Sequence, residues 1–593
     1  MTPSAISLEP EPEPPSTTEA QKSEIFKNAI DSAYRIIEQP IGTRRPLRVV
    51  CMGAGYSGLM MSIVFNERLR NSNASLAVYE RNEDIGGTWL ENRHNYSYSF
   101  CPNPDWPGYY ATSQQIHAYM KDVEKKYDCS QYIKCNHSIQ SAMWRESKGK
   151  WELKVKNGDG LVFTDMCDVF INAGGVLNNW KWPSIEGLHS FEGKLCHSAR
   201  WDESYDFTGK RVAVIGIGSS GIQIIPQLAK GKLCKSMDVH VRTQTWISPA
   251  PGINEPTEND PEMDEDYNFT ETSLKMFKDP ELLRQYRAAI MDRRIQNFNR
   301  AMADSDEQRK AQELFRRSMT ERLGGGAKGG KIAEYLLPSF PVGCRRQTPG
   351  PGFLEALLQD NVEMLWDSIQ SVTPRGINFK NRDSAEYDVI VCATGFDTTF
   401  KPAIPVIGRN GVNLAEKWTA DRPKAYFGIC VPDMPNYFSF IGPNSPISNG
   451  SLILGIQATA LYIYKWITKL QTEGYASFEV RQDVNEEYNE HMQQYLQRTV
   501  WTRGCRSWYK RGTIDGPVVA IYGGTSFHFM EALKHPRWED FHIKRKPEAS
   551  VNRFAYLGDG FTLRETKNES VGATQTLDFD EYWNLFNLPE IHN

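Results

Sequence analysis

The chain has 593 residues, room for about two to four domains at the usual size. With 40% hydrophobic and 24% charged residues it reads as an ordinary globular protein, and a net charge of −5 gives no electrostatic case for nucleic acid or an anionic membrane. Eleven scattered cysteines, with no C-x-x-C, make neither a disulfide framework nor a metal site, so a reducing, cytoplasmic compartment is the default expectation.

Residues 1–44 open on a run rich in Pro, Glu, Ser and Thr and lack the basic and apolar regions of a secretory signal, so they read as a disordered tail. The short β-branched run from Pro46 to Met52 then leads into Gly53-Ala-Gly55-Tyr56-Ser57-Gly58 and an apolar, helix-compatible stretch. Strand, glycine turn and helix in that order are the context in which G-x-G-x-x-G cradles a pyrophosphate. Gly53 permits the turn, Gly55 lets backbone approach phosphate, and Gly58 allows close helix–strand packing. The next strand ends in Glu80, where a carboxylate accepts both hydroxyls of an unphosphorylated ribose, as in FAD or NAD.

The pattern repeats. A strand from Lys210 enters Gly216-Ile-Gly218-Ser219-Ser220-Gly221 and a second helix-compatible run. Its following strand ends in Arg242-Thr243 instead of an acid, and a cation there pairs with a 2′-phosphate, so this site selects NADP. Two cradles with opposite ribose chemistry predict an α/β chain with two Rossmann-like dinucleotide-binding domains. Electrons pass from NADPH to a second carrier, for which FAD is the reading.

From Glu255 to Arg322 the chain turns charged with helical spacing and reads as a helical insert, its charges a solvated face. Gly324 to Gly330 reads as a flexible hinge or turn, lacking the P-loop spacing. Leu452 to Ile467 is too short and too polar to span a bilayer and reads as a buried helix. The predicted organisation is 45–205 for the first part of the FAD domain and a linker, 206–395 for the NADP domain with an insert at about 255–336, and 396–593 for the return to the FAD domain.

Between the cradles lies Phe191-Glu-Gly193-Lys-Leu-Cys-His197-Ser-Ala-Arg-Trp201-Asp202. It matches F-x-G-x-x-x-H-x-x-x-W-[P/D], and the chain thereby resembles the class B flavoprotein monooxygenases of the Baeyer–Villiger type. Gly86-Gly87-Thr88-Trp89, Ala393-Thr-Gly-Phe-Asp397, Gly442-Pro-Asn-Ser-Pro446 and Cys505-Arg-Ser-Trp-Tyr509 extend the resemblance to the C-terminus, the last two in its fungal form. It implies FAD and NADPH as cofactors, O2 and a ketone or aldehyde as substrates, and an ester or lactone as product via a C4a-peroxyflavin. A fungal secondary metabolite is the implied substrate class.

Within this resemblance Gly87, Thr88 and Trp89 lie on the flavin side, and Arg345 helps hold NADP phosphate. Arg346, in Gly343-Cys-Arg-Arg346, is the implied catalytic group, and its fixed guanidinium favours both an anionic peroxide and the tetrahedral oxyanion. His197 takes a conformational role with no proton transfer. After Arg93, about ten residues of the family pattern are missing, including an aspartate that pairs with the catalytic arginine. A mis-assembled coding sequence, an impaired FAD-binding homologue and altered chemistry are the explanations it leaves open. Nitrogen or sulfur oxygenation is the alternative reaction.

Overall fold

The structure, a computed structural model, describes residues 36–87, 97–249, 261–264, 267–448, 450–563 and 565. They fall into two units, the larger made of those within Pro46–Ile467 and Ser477–His542, the smaller of 36–45, Thr468–Ala476, 543–563 and 565. In the smaller unit Arg45 donates to the carbonyls of Leu470 and Tyr475, at 2.9 and 3.1 Å, and Lys546 N donates to Gly474 O.

The larger unit is organised by two parallel sheets. Strands β1 (Leu47–Met52) and β2 (Ala74–Tyr79) are linked by helix α1 (Tyr56–Arg68), and β3 (Ile133–Lys134) and β4 (Val169–Asn172) follow. Next come β5 (Lys194–His197), then β6 (Arg211–Ile215) and β7 (Ser236–His240) joined by α2 (Ser219–Ala229). Strands β8 (Val362–Leu365), β9 (Val389–Cys392) and β10 (Tyr437–Ser439) complete them. The first sheet runs β10-β4-β1-β2-β3 and the second β8-β7-β6-β9-β5. Val49, Val50 and Cys51 of β1 and Val212, Ala213 and Val214 of β6 are wholly buried, the continuous apolar signature of strands covered on both faces.

In each sheet the chain leaves β1 or β6 toward one side and returns on the other. The carboxyl ends of β1 and β6 are therefore topological switch points, where such sheets open a crevice. An antiparallel sheet of Ser138–Arg145, Lys150–Lys156 and Val162–Cys167, joined by Val406–Ile407, packs Trp144, Trp151 and Leu153 into one core with Val50 and Phe170.

The charged insert is helical: α3 (Glu271–Met276), α4 (Pro280–Gln296), α5 (Asp306–Leu323) and α6 (Ala327–Leu336). Ser305 caps α5 by accepting from Gln308 N, and Asp306 and Glu307 in the first turn suit its positive end. Phe315 and Met319 bury α5 in the same core as Val212, Ile225 and Val239.

Of the flexible hinge or turn expected in the glycine run, the structure shows a turn at its start and helix in the rest. Gly324 closes α5 at φ +67°, and α6 begins three residues later with Gly329 and Gly330 inside it. A Cβ at Gly329 would lie 2.0 Å from Leu323 O, so this glycine is required by close packing. The stretch from Leu452 is helix α7 (Leu452–Thr472), and no described helix is long and apolar enough to cross a membrane.

At the end of β7, His240 is 4% exposed and stacked on Phe379 with centroids 5.4 Å apart, and among the described residues neither ring nitrogen has a hydrogen-bond partner. Burial, helped by Arg382, lowers its pKa to about 4. A depressed folded pKa means that the stabilisation is complete above the unfolded value of about 6.5 and is lost as pH falls toward 4. Burial lowers His197 as well, so it adds to the same acid-side loss. His240→Phe should narrow the difference in Tm between about pH 7.5 and 4.5, recovering up to about 3 kcal/mol at the acid end. An unchanged difference would show that the ring is already protonated or solvated.

Candidate functional site

Both glycine turns sit at the switch points. Gly53 has φ +100° and Gly216 has φ +106°, conformations open to glycine at little cost. A Cβ would meet Ala173 O at 2.8 Å in the first turn and Ala393 O at 2.7 Å in the second. Gly58 and Gly221 repeat the correspondence, since a Cβ on either would sit 1.9 or 2.2 Å from the carbonyl oxygen of Gly53 or Gly216. Gly55 and Gly218 are the N-caps of α1 and α2, and neither supplies a side-chain cap, so first-turn N–H groups point toward the crevice. Around Gly218 a Cβ would meet nothing within 4 Å, while Gly55 faces Gly87. These uncapped, side-chain-free turns fit a dinucleotide pyrophosphate.

The strand ends beside the two turns carry opposite charges. Glu80 is 5% exposed, and its carboxylate accepts from Ala54 N at 2.8 Å and Asn82 N at 2.9 Å, which aims it at the end of β2. At the second cradle Arg345 Nη1 donates to Thr243 Oγ1 and Gln244 O, both at 2.9 Å. Burial first, and then the nearby Arg242, lowers the Arg345 pKa, so two cations converge where a 2′-phosphate would neutralise them. Ser219 Oγ lies 2.8 Å from Thr348 Oγ1, and Ser220 lines the same crevice. In the first cradle Tyr56 and Ser57 are buried in the opening turn of α1, where Tyr56 O accepts from Tyr98 Oη at 2.7 Å.

One cleft of about 3250 Å³ takes in both cradles, together with Arg345 and Arg346. The segment carrying these arginines is held from several sides. Val342 O accepts from Gln308 of α5 at 2.7 Å, Phe340 O from Trp246 at 2.9 Å, and Thr348–Pro349 pairs with Ile247–Ser248. Cys344 is disulfide-bonded to Cys505, with Cα atoms 6.3 Å apart. This corrects the expectation that the cysteines stay unpaired: 161 residues separate the two, so spacing carried no sign of it.

Arg346 is half-buried, and desolvation lowers its pKa, partly offset by Tyr509, which is 1% exposed. Tyr509, Cys344 and Cys505 are the site residues that sequence reasoning assigned no role. Their only sequence signal was membership of the motifs around Arg346 and Cys505-Arg-Ser-Trp-Tyr509. Thr88 and Trp89, and the stretch after Arg93, lie outside the described residues. Asp105 pairs with Lys278 at the surface and does not line the cleft.

The 191–202 segment belongs to the joint between the sheets. His197 closes β5 and is 1% exposed; its Nδ1 accepts from Ala199 N at 3.1 Å, while Nε2 lies 3.4 Å from Thr394 Oγ1. Its ring stacks on Trp180, centroids 4.5 Å apart, and Trp180 bridges to Phe396. Loops leaving β4 and β9 thus meet on His197, whose pKa burial lowers. Phe191 packs over Gly193, where a Cβ would lie 2.6 Å from Asp388 O. Asp202 pairs with Lys194, and Trp201, 36% exposed, stacks on Phe207 at the cleft wall.

Comparison with known proteins bears on this geometry. The flavin-binding monooxygenase-like family matches residues 46–250. The FAD-binding monooxygenase moxY of Dothistroma septosporum is 35% identical over 564 residues, covering 92% of this chain and 86% of that one. The chain belongs to the class B flavoprotein monooxygenases. The FAD-binding monooxygenase tazF of Aspergillus terreus is 37% identical, covering 89% of this monooxygenase and 94% of its own length. A Baeyer–Villiger monooxygenase of Pseudomonas aeruginosa is 29% identical over 86% and 94% of the two chains. The fold is also that of cyclohexanone monooxygenase from Rhodococcus sp. Phi1 bound to NADP+, with a TM-score of 0.70 at 23% identity over 85% of this chain and all of that one.

Two outcomes follow. Arg242→Gln should raise KM for NADPH about tenfold or more while leaving that for NADH unchanged, because a 2′-phosphate contact is charge-assisted; equal loss with both would remove Arg242 from that role. Titration of unreduced, denatured protein should find nine thiols, and eleven after reduction.

Proposed function

We propose that this monooxygenase carries out Baeyer–Villiger oxidation. A ketone or aldehyde, O2, NADPH and a proton become an ester or lactone, NADP+ and water. The observation that carries the reading is Arg346, a desolvated guanidinium in the cleft shared by the two cradles. In such surroundings a fixed cation acts on charge far more strongly than in water. FAD, when bound, supplies the hydride acceptor and the site of oxygen activation.

The remaining roles belong to the chain. Glu80 receives the FAD ribose, and the turns Gly53 to Gly58 and Gly216 to Gly221 receive the two pyrophosphates. Arg242 and Arg345 hold the 2′-phosphate of NADPH. Arg346 stabilises the oxyanion formed at the substrate carbonyl and never gives up its own proton. His197, clamped between the Trp180 and Thr394 loops with its charged form disfavoured by burial, sets the relation of the two sheets and transfers no proton. A cytoplasmic enzyme of secondary metabolism is part of the reading, supported by the fungal relatives and by nine free cysteines.

Purified holoenzyme supplied with NADPH, 18O2 and either a ketone or a sulfide tests the reaction. One labelled oxygen in an ester is expected; label in a sulfoxide alone would replace this reading with heteroatom oxygenation. Arg346→Ala should cut ester formation by about 100-fold or more and leave anaerobic reduction of the flavin by NADPH in place. Retained ester formation in that variant would overturn the role given to Arg346.

A further inference from the structure

The cleft is strongly basic within an acidic chain. Twelve Lys and Arg residues line it against four Asp and Glu, although the whole chain carries −5. Phosphates of two dinucleotides account for part of this. Arg300 belongs to neither glycine turn.

Arg300 lies on the single helical turn Asn297–Ala301 at the end of the insert, half-buried, and both it and Ala301 line the cleft. The next residues fasten this turn to another wall: Ala303 N donates to Arg498 O at 3.0 Å, and Met302 bridges to Thr499. Val500 and Trp501, which follow, also line the cleft. Val500 in turn reaches the arginine segment, its Cγ2 lying 3.7 Å from where a Cβ on Gly343 would be. A short series of contacts therefore joins the turn bearing Arg300 to the loop bearing Arg346.

Among the described residues Arg300 has no hydrogen-bond or carboxylate partner. The nearest acid in sequence, Asp304, pairs instead with Arg503 at 3.5 Å. Burial disfavours its charge with no opposing carboxylate to restore it. A guanidinium kept half-dehydrated and unneutralised in an open cleft is arranged for an anion that arrives from outside.

We propose that the substrate is a ketone that also carries an anionic oxygen group, a carboxylate or an ionised phenol, and that Arg300 binds this anion while Arg346 faces the carbonyl. The inference deepens the oxygenation reading and rests on it for the substrate's ketone. Arg300 then selects the substrate and fixes which way round it lies, while uncharged ketones bind without that anchor.

The test uses holoenzyme with NADP+, titrated with acetophenone, para-acetylbenzoate and para-hydroxy-meta-nitroacetophenone and followed by the flavin difference spectrum. Product formation with NADPH and O2 is measured in parallel. Wild type should bind one or both anionic ketones about tenfold or more tighter than acetophenone. The ligand that tightens identifies carboxylate or phenolate as the source of the anion. Arg300→Gln should abolish the preference while acetophenone affinity and KM for NADPH stay unchanged, and Arg300→Lys should restore part of it. Equal affinities for all three ketones in wild type would overturn the proposal. So would a rise in KM for NADPH in Arg300→Gln, which would give the guanidinium to the dinucleotide. Anion-selective binding without any ester would leave the anion site standing and sink the oxygenation reading; ester from acetophenone without anion preference would do the reverse.

Discussion

Two backbone oxygens, those of Ala173 and Ala393, occupy the space that a side chain at residue 53 or 216 would need. Each is the first carbonyl beyond a strand next to β1 or β6, so the glycine turn and the neighbouring strand end press against each other at the switch point. That pressure is relieved only by the absence of a Cβ and by a positive φ. From it follow the direction in which α1 and α2 leave, the exposure of their uncapped N–H groups, and the open floor over which a pyrophosphate can lie. The packing of Gly58 and Gly221 on Gly53 and Gly216 makes each turn a closed unit, so its geometry does not depend on a bound ligand.

What distinguishes the two cradles is charge. One ends in a carboxylate oriented by the amides of Ala54 and Asn82; the other ends in two arginines that repel each other until an anion separates them. The second arrangement carries a cost of burial and of like charge that a bound anion would offset. The same logic extends along the cleft through Arg346 and Arg300. Their desolvation is borne by a scaffold of helices and loops tied to the buried core, Gln308 and Trp246 among the ties.

Much of this was legible in the sequence because it is local. Strand, G-x-G-x-x-G and helix occupy some twenty consecutive residues, and the contrast of Glu80 with Arg242 after the next strand is visible in the sequence as a change of charge. The helical insert was legible from the spacing of its charged residues, and α7 as an apolar stretch too short and too polar to span a bilayer. The glycine run at 324–330 was legible as a turn only at its start; its later glycines lie in α6, where Gly329 presses on the end of α5. Contacts remote in sequence had no local signature: Tyr509 beside Arg346, the bridge from Met302, next to the turn of Arg300, to Thr499, and the union of Cys344 with Cys505. The stacking of His197 on Trp180, which gives the family motif its physical sense, is of the same kind.

The bond between Cys344 and Cys505 has an effect that the folded molecule does not display. Its 161-residue loop contains β8, β9 and β10, strands from both parallel sheets. An unfolded chain closed into a ring of that length is deprived of conformations worth about 5 kcal/mol on a chain-entropy account. On that account the gain arises in the disordered ensemble. A thiol-rich milieu that opens the ring would therefore make the polypeptide easier to lose to unfolding, which links its lifetime to the redox poise of its surroundings.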